Sequence, residues 1–263
     1  MNTIDQQLAK ISGEGRIGLM THIVIGYPTF EASINLAVLM ASAGVDFIEL
    51  QIPFTDPIAD GPTIMRASDT ALQNGIDTER CFEAMSAISA RVKIPVLFMT
   101  YYNIVHSYGS TAFCKKAAAV GAQGLIVPDM PMAEEKFEGF YEATKQAGLQ
   151  VISVLAPENQ PDRISEISEN SGSILYLPSH TGVTGAKSEF AEHLGDELRK
   201  IKSITNKAIA VGFGVSAPQH IDLIKRSGAD IAVVGSAVID TLEKRGTAGV
   251  QQFLYELTDS CRK

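Results

Sequence analysis

One junction recurs along this chain and constrains its fold more than any other feature. At each copy an amphipathic stretch ends near a Gly, and a short apolar run rich in β-branched residues follows. Gly suits the left-handed cap that ends many helices, and the apolar run is typical of a buried strand. The pattern therefore predicts βαβ units and a parallel sheet. The five copies read ASAGVDFIEL, AVGAQGLIV, QAGLQVISV, NSGSILYL and SGADIAVVG.

Eight strands are predicted in all, five at these junctions and three from further apolar runs of the same kind. Eight parallel strands with helical crossovers in about 250 residues are typical of a (β/α)8 TIM barrel, whose active site lies at the carboxyl ends of the strands. We expect residues 1–263 to form a single TIM-barrel domain with additional short helices. The predicted strands span residues 18–26, 46–52, 95–102, 124–129, 150–156, 174–179, 208–214 and 231–236.

A doubly wound sheet is the alternative architecture. The segment GFGVSA, residues 212–217, follows a predicted strand and fits the dinucleotide fingerprint G-x-G-x-x-A. Such a fingerprint is normally accompanied by a carboxylate at the end of the next strand. Here the next strand ends in VVGSA, which contains no acidic residue. The sequence therefore disfavours a dinucleotide site.

Composition excludes several classes of protein. The net charge of -8, with scattered basic residues, argues against nucleic-acid binding. No run approaches the roughly 18 apolar residues of a membrane span, and the N-terminus lacks the apolar core of a signal peptide. We therefore expect a cytoplasmic protein. Cys81, Cys114 and Cys261 lie far apart, which favours reduced structural thiols, and the histidines show no metal-ligand spacing.

The second predicted strand, DFIELQI, contains a carboxylate where an apolar residue is expected. Side chains alternate along a strand, so Ile48 and Leu50 belong to one face and Glu49 and Gln51 to the other. The aliphatic face should meet the helices, which directs Glu49 into the barrel. A buried carboxylate is costly unless it is paired or used, so Glu49 is a candidate general acid or base. A structural Glu bonded to a neighbouring strand is the alternative.

Two further carboxylates, Asp56 and Asp60, follow this strand in a loop. Asp56 precedes Pro57, a turn dipeptide, and Asp60 precedes Gly61 at a predicted helix start. Each has an ordinary explanation as a turn or cap residue. Spacing alone does not separate that explanation from a catalytic role.

Glycines follow the last two predicted strands. Gly212, Gly214 and Gly235 leave backbone N–H groups unobstructed, and Ser236 opens the next helix. Backbone amides and helix N-termini bind anions, and the loops after strands 7 and 8 of a barrel often hold a phosphate. The pattern favours a phosphorylated small-molecule substrate. Glycines that only permit tight turns are the alternative.

Six segments in this order resemble the tryptophan synthase alpha subunit family: FIELQIPFTDPIADGPTI, MTYYN, VPDMP, LYLPSHTGVTG, VGFGVS and VVGSA. The resemblance implies a lyase of tryptophan biosynthesis. It implies retro-aldol cleavage of indole-3-glycerol phosphate to indole and glyceraldehyde 3-phosphate. It also implies an alpha2beta2 heterotetramer, in which indole passes through a tunnel to a beta subunit that carries PLP, while the alpha chain needs no cofactor or metal.

The resemblance also assigns residue roles. Glu49 corresponds to the acid/base that protonates indole C3 and assists proton removal from the glycerol hydroxyl. Asp60 corresponds to the carboxylate that holds the indole N–H. The segment SHTGVTG corresponds to a loop that closes over the site. The other assigned positions are Tyr176, Thr184 and Phe213 for substrate, Gly185, Gly214, Gly235 and Ser236 for phosphate, and Asp56 and Pro57 for the beta-subunit interface.

Several residues depart from the family pattern. Thr21 and His22 stand where Pro and Phe are frequent, Gln51 stands for Gly, and His180 stands for Arg. His22 is a candidate pocket-lining, substrate-binding residue, and a packed histidine is the alternative. Two other functions stay open at this point: a lyase that releases indole without a partner, and a non-catalytic activator of a beta subunit.

Overall fold

The structure, a computed structural model, describes residues 3–130, 139–156, 158–178, 187–212 and 214–262. These residues contain nine strands and eleven helices. The strands are β1 Gly18–Val24, β2 Phe47–Gln51, β3 Val96–Met99, β4 Gly124–Ile126, β5 Gln150–Val151, β6 Ser153–Val154, β7 Ile174–Pro178, β8 Ala208–Gly212 and β9 Ile231–Val234. The helices are α1 Ile4–Gly13, α2 Phe30–Ser42, α3 Pro62–Gln73, α4 Thr78–Ser89, α5 Tyr102–Tyr108, α6 Ser110–Ala119, α7 Phe140–Gln146, α8 Pro161–Asn170, α9 Lys187–Lys202, α10 Pro218–Arg226 and α11 Ser236–Arg262.

All nine strands belong to one parallel sheet, in the order β5-β4-β3-β2-β1-β9-β8-β7-β6. The two edge strands, β5 and β6, are consecutive in the chain and are separated only by Ile152. The Ile152 N–H donates to the carbonyl of Leu125 at 2.9 Å, and the Leu155 N–H donates to the carbonyl of Tyr176 at 2.8 Å. Both edges of the sheet therefore meet in one segment, which closes the sheet into a barrel.

This closure confirms the predicted TIM barrel. The alternative doubly wound sheet is wrong, because the strand order follows the chain around the barrel and has no point at which it reverses. The eight predicted strands all exist, but residues 150–156 form two short strands rather than one. The reason is that β5 pairs only with β4 and β6 only with β7.

Two apolar cores hold the barrel together. The larger lies between the sheet and the helices and contains Ile48, Leu50 and Ile52, whereas Phe47 belongs to the smaller core inside the barrel. Side chains of β2 therefore alternate as the sequence predicts. Glu49 shares the parity of Phe47 and lies on the inner face.

Asp46, at the amino-terminal end of the barrel, forms a buried ion pair with Arg16 and is also bonded to Gln7 of α1. Asp46 accepts hydrogen bonds from Arg16 Nη1 and Nη2, both at 2.7 Å, and from Gln7 Nε2 at 2.6 Å. It also accepts from the backbone N–H of Leu19 at 2.9 Å. The hydrogen bond to Asp46 raises the pKa of Arg16 further above its ordinary value, although burial opposes this.

We expect Asp46→Ala to lower the free energy of unfolding by about 3–5 kcal/mol, because it leaves Nη1 and Nη2 of the buried Arg16 without their carboxylate. The exposed Glu14 still binds Arg16, but only through Nε. Urea denaturation followed by circular dichroism measures the change. Asp69→Ala, at an exposed position on α3, is the matched control and should change stability by less than about 0.5 kcal/mol. A loss for Asp46→Ala no larger than that of the control would contradict the role given to this pair.

Cys81, Cys114 and Cys261 are buried and form no disulfide, as predicted. Burial raises the pKa of the Cys261 thiol to about 12, which disfavours its reactive thiolate form. Within the described ranges, no helix combines the length and apolar character that a membrane crossing requires.

Candidate active site

Glu49 and His22 form a pair at the carboxyl-terminal part of the barrel interior. The register of β1 and β2 places the two residues directly opposite each other. Both are buried, with exposed fractions of 2% for Glu49 and 7% for His22. His22 Nδ1 lies 3.0 Å from Glu49 Oε2, while His22 Nε2 and Glu49 Oε1 have no hydrogen-bond partner among the described residues. Each side chain thus has one bonded atom and one unpaired atom.

The environment of His22 favours its charged form. Burial lowers the pKa of His22, but the hydrogen bond to Glu49 and the negative charges of Glu49 and Asp60 outweigh that effect. The pKa of His22 therefore lies above its ordinary value. A protonated imidazole beside a carboxylate makes an ion pair, which stabilises the charged form of His22.

Asp60 is held by a second polar contact. Gln51 is fully buried, and its Nε2 donates to Asp60 Oδ2 at 2.6 Å. Helix α3 begins after Gly61, its N-cap, which makes no side-chain capping bond. The Asp60 carboxylate is therefore directed toward β2. The alternative that Asp60 caps the helix is not what the structure shows.

The pKa of Asp60 is raised above its ordinary value, mainly by burial. The charge of His22 and the hydrogen bonds from Gln51 and Tyr101 lower the pKa again, but only in part. The Tyr101 hydroxyl also accepts from the backbone N–H of Ala59 at 3.1 Å, and its ring stacks on Phe54 with centroids 5.2 Å apart. Tyr101 thus anchors the loop that carries Asp60, a role that the sequence did not indicate.

Tyr176, on β7, lies close to both carboxylates. Burial raises the pKa of Tyr176 well above its ordinary value, and the charges of Glu49 and Asp60 raise it further. A side chain on Gly212 would collide with the Tyr176 hydroxyl. Gly212 is therefore explained by the close approach of this tyrosine, which the sequence could not show.

The predicted phosphate residues lie at the ends of adjacent strands. Gly214 follows β8 with φ +52°, and Gly235 follows β9 directly before Ser236 begins α11. A Cβ placed on Gly235 would lie 3.5 Å from His22 Cβ, so this loop borders the His22 and Glu49 pair. Among the described residues, no atom outside the adjacent chain lies within 4 Å of a Cβ placed on Gly214, and Ser236 is exposed. Gly214 and Ser236 are therefore both exposed at this end of the barrel.

Asp56 is in a different environment from Asp60. Its carboxylate accepts from Thr55 Oγ1 at 2.8 Å within the same exposed loop. The Ile58 N–H donates to the Asp56 carbonyl, and the Asp60 N–H donates to the Pro57 carbonyl, each at 2.9 Å. The predicted turn is therefore present. Ile58 beside it is 83% exposed, which is unusual for a large apolar residue.

Some predicted site residues lie outside the described residues, namely Thr184, Gly185 and Phe213, together with His180. Among the residues that the structure does describe, no group of three His, Cys, Asp or Glu side chains is arranged to hold a metal ion.

A cavity of about 1020 Å³ lies at the opposite end of the barrel, beside α1. Three of its four lining cations already have partners: Arg16 binds Asp46, Lys202 binds Asp230 at 3.0 Å, and Lys207 donates to backbone carbonyls. The fourth is Lys225. Active sites of TIM barrels lie at the carboxyl ends of the strands, so the Glu49 and Asp60 end is the better candidate.

Comparison with known proteins decides the family. The family model described as tryptophan synthase alpha chain matches residues 8–262. The chain belongs to the tryptophan synthase alpha chain family. A tryptophan synthase alpha chain from Desulforapulum autotrophicum is 41% identical over 91% of this chain and 93% of its own length. One from Chloroflexus aggregans is 37% identical over 100% of this chain and 99% of its own length.

Solved structures agree with the family assignment. A structure of Mycobacterium tuberculosis tryptophan synthase superposes with a TM-score of 0.90 at 31% identity, covering 98% of this chain and 97% of that chain. The assignment confirms the predicted class, a lyase of tryptophan biosynthesis that acts in the indole-3-glycerol phosphate half-reaction. The roles of individual residues stay predictions of the sequence.

Proposed function

We propose that this chain cleaves indole-3-glycerol phosphate to indole and glyceraldehyde 3-phosphate with Glu49 and Asp60 as its two catalytic carboxylates. The observation that carries the proposal is the pair of differently held carboxylates at one end of the barrel. Glu49 is bound to His22 through one oxygen and has its other oxygen unpaired, and Asp60 is bound to Gln51. Two carboxylates in unlike environments are suited to unlike roles.

Glu49 moves the protons in this proposal. Its unpaired Oε1 takes the proton from the hydroxyl on the carbon attached to indole, and an aldehyde forms as the carbon–carbon bond breaks. Glu49 delivers a proton to indole C3, which makes the ring a leaving group, and the electrons of the broken carbon–carbon bond return to the ring as indole. One proton leaves the hydroxyl and one reaches C3, so the step is balanced without an added acid or base.

Asp60 stabilises charge in this proposal. Protonation at C3 places positive charge on the indole nitrogen, and an ionised carboxylate that accepts the indole N–H stabilises that cation. The contact from Gln51 occupies Oδ2 of Asp60, and the Tyr101 hydroxyl supports the same group. These contacts favour the ionised form, which the raised pKa of Asp60 otherwise disfavours.

The glycine loops hold the phosphate in this proposal. Gly214, Gly235 and Ser236 offer backbone N–H groups beside the N-terminus of α11, which favours an anion. Tyr176 packs against the inner core of the barrel and senses the charge of both carboxylates, so we expect it to line the substrate site. Thr184, Gly185 and Phe213 are expected to complete the site, as the family resemblance implies.

The partner follows from the family. We propose an alpha2beta2 assembly in which a beta subunit carries PLP and receives indole, whereas this chain uses no cofactor or metal of its own. The loop of Asp56 and Pro57, with exposed Ile58, offers an apolar contact for that subunit. The cytoplasmic location stays a prediction of the sequence.

The test is indole release. Purified protein mixed with indole-3-glycerol phosphate should release indole and glyceraldehyde 3-phosphate, and a beta subunit should accelerate the release and comigrate with the chain on size exclusion. If the chain releases indole but a beta subunit neither binds it nor changes the rate, the stand-alone lyase is favoured. Activation of a beta subunit without any cleavage would favour the non-catalytic activator. No cleavage under any condition contradicts the proposal.

A further inference from the structure

His22 occupies a position that packing alone does not explain. It is buried, it lies opposite Glu49 in the strand register, and its Nδ1 is 3.0 Å from the carboxylate. The raised pKa of His22 favours the protonated ring, in which both nitrogens carry a hydrogen, so Nδ1 donates to Oε2. A histidine that only filled space would not need this orientation. Phe, which is frequent here in the family, offers no donor.

We propose that His22 is a positioning residue for Glu49, whose Nδ1–H group holds Oε2 and leaves Oε1 to exchange protons with the substrate. This inference rests on the proposed acid–base role of Glu49. A carboxylate with two free oxygens rotates about its last bond, and a fixed donor removes that freedom before substrate binds. Catalytic groups held in the productive geometry react faster than those that must be ordered at each turnover.

The charge of His22 acts on both carboxylates. The titratable groups that face His22 are Glu49 from β2 and Asp60 from the following loop, while β9 contributes Gly235, which has no side chain. Tyr176 of β7 faces the same two carboxylates. A positive imidazole lowers the pKa of Asp60 against the effect of burial. His22 therefore supports the ionised form of the group that receives the indole N–H.

The positive charge of His22 is present at acidic pH. Because the pKa of His22 is raised, the imidazole is protonated below its ordinary titration range and loses its charge only as the pH rises through the raised value. Asp60 must be ionised for its proposed role, and because burial raises its pKa, it loses its proton at a higher pH than an ordinary Asp. Removing the His22 charge therefore raises the pKa of Asp60 and moves the acid limb of activity to higher pH.

Two substitutions separate the hydrogen bond from the charge. His22→Phe removes both, and we expect kcat at the pH optimum to fall by about tenfold while KM changes by less than about threefold. His22→Asn keeps an amide donor near the position of Nδ1, and we expect it to restore kcat to within about threefold of the unsubstituted protein. In both variants the acid limb of kcat/KM should move up by about one pH unit.

Indole release measured across the pH range checks these expectations. His193→Asn, at an exposed position on α9, is the matched control and should leave the profile unchanged. If His22→Phe keeps both kcat and the acid limb of the unsubstituted protein, the proposal is overturned. If the unsubstituted protein releases no indole, the proposed function fails, and the role of His22 fails with it. If the unsubstituted protein is active and His22→Phe matches it, only the role of His22 fails.

A second measurement does not depend on activity or on the folding of a His22 variant. Glu49→Gln removes the negative partner, and the NMR titration midpoint of the His22 ring should fall by about one pH unit or more. The His193 ring, titrated in the same samples, serves as the internal reference. An unchanged His22 midpoint would show that the two side chains are not coupled and would overturn the proposal.

Discussion

Glu49→Gln is expected to lower the turnover of indole-3-glycerol phosphate by about 10³-fold, within the range typical of a lost general acid or base. Glutamine has nearly the same shape and can still accept the hydrogen bond from His22, but its amide cannot take a proton from the hydroxyl or deliver one to indole C3. Substrate binding should change little, because Gly214, Gly235 and Ser236 are untouched. Steady-state kinetics of indole release gives kcat and KM separately.

The control for this substitution is Glu83→Gln. Glu83 is an exposed glutamate on α4 that pairs with Arg80, and its change should leave turnover intact. Binding is checked by calorimetry with a phosphorylated indole analogue that lacks the reacting hydroxyl. Retained turnover together with lost binding of the analogue in Glu49→Gln would reverse the assignment and make Glu49 a binding residue.

Asp60→Asn should lower kcat by about 10²–10³-fold, the range found when one group that stabilises transition-state charge is removed. Asparagine keeps the size of the side chain but not the negative charge that stabilises the protonated indole ring. The effect on KM should be larger than for Glu49→Gln, because Asp60 also holds the indole N–H of the bound substrate. The same kinetic measurement gives both values.

Asp69→Asn tests whether the loss of any nearby negative charge lowers kcat. Asp69 lies at an exposed position on α3, the helix that follows the Asp60 loop. Its substitution removes one negative charge outside the barrel. We expect it to have the kinetics of the unsubstituted protein. If Asp60→Asn and Asp69→Asn behave alike, Asp60 supports the loop through Gln51 and Tyr101 and does not take part in the reaction.

The architecture was predictable because it depends on local pattern. Apolar runs indicated the strands, five of them preceded by a Gly at a helix end, and all eight predicted strands exist. The division around Ile152 was not predictable, because β5 and β6 each pair with one neighbour only where the two sheet edges meet. That division arises from barrel closure and leaves no signal in the run QVISVLA itself.

The candidate site was predictable only in part. Alternation along β2 identified Glu49 as an inward carboxylate, because the period of a strand is independent of the rest of the fold. Asp60 could not be distinguished from a cap, since a loop residue has no such period. Its contacts with Gln51 and Tyr101 required the folded loop. The close approach of Tyr176 to Gly212 likewise depends on the pairing of β7 with β8.

The sequence by itself determined the strand and helix order, the inward direction of Glu49 and Gln51, and the family to which the chain belongs. These depend on periodicity and on residue identity, which the sequence contains in full. Only the tertiary structure decided which side chain meets which carboxylate. Strand register placed His22 opposite Glu49, and the loop geometry placed Asp60 against Gln51. Those pairings depend on distances between segments, which closure of the barrel alone establishes.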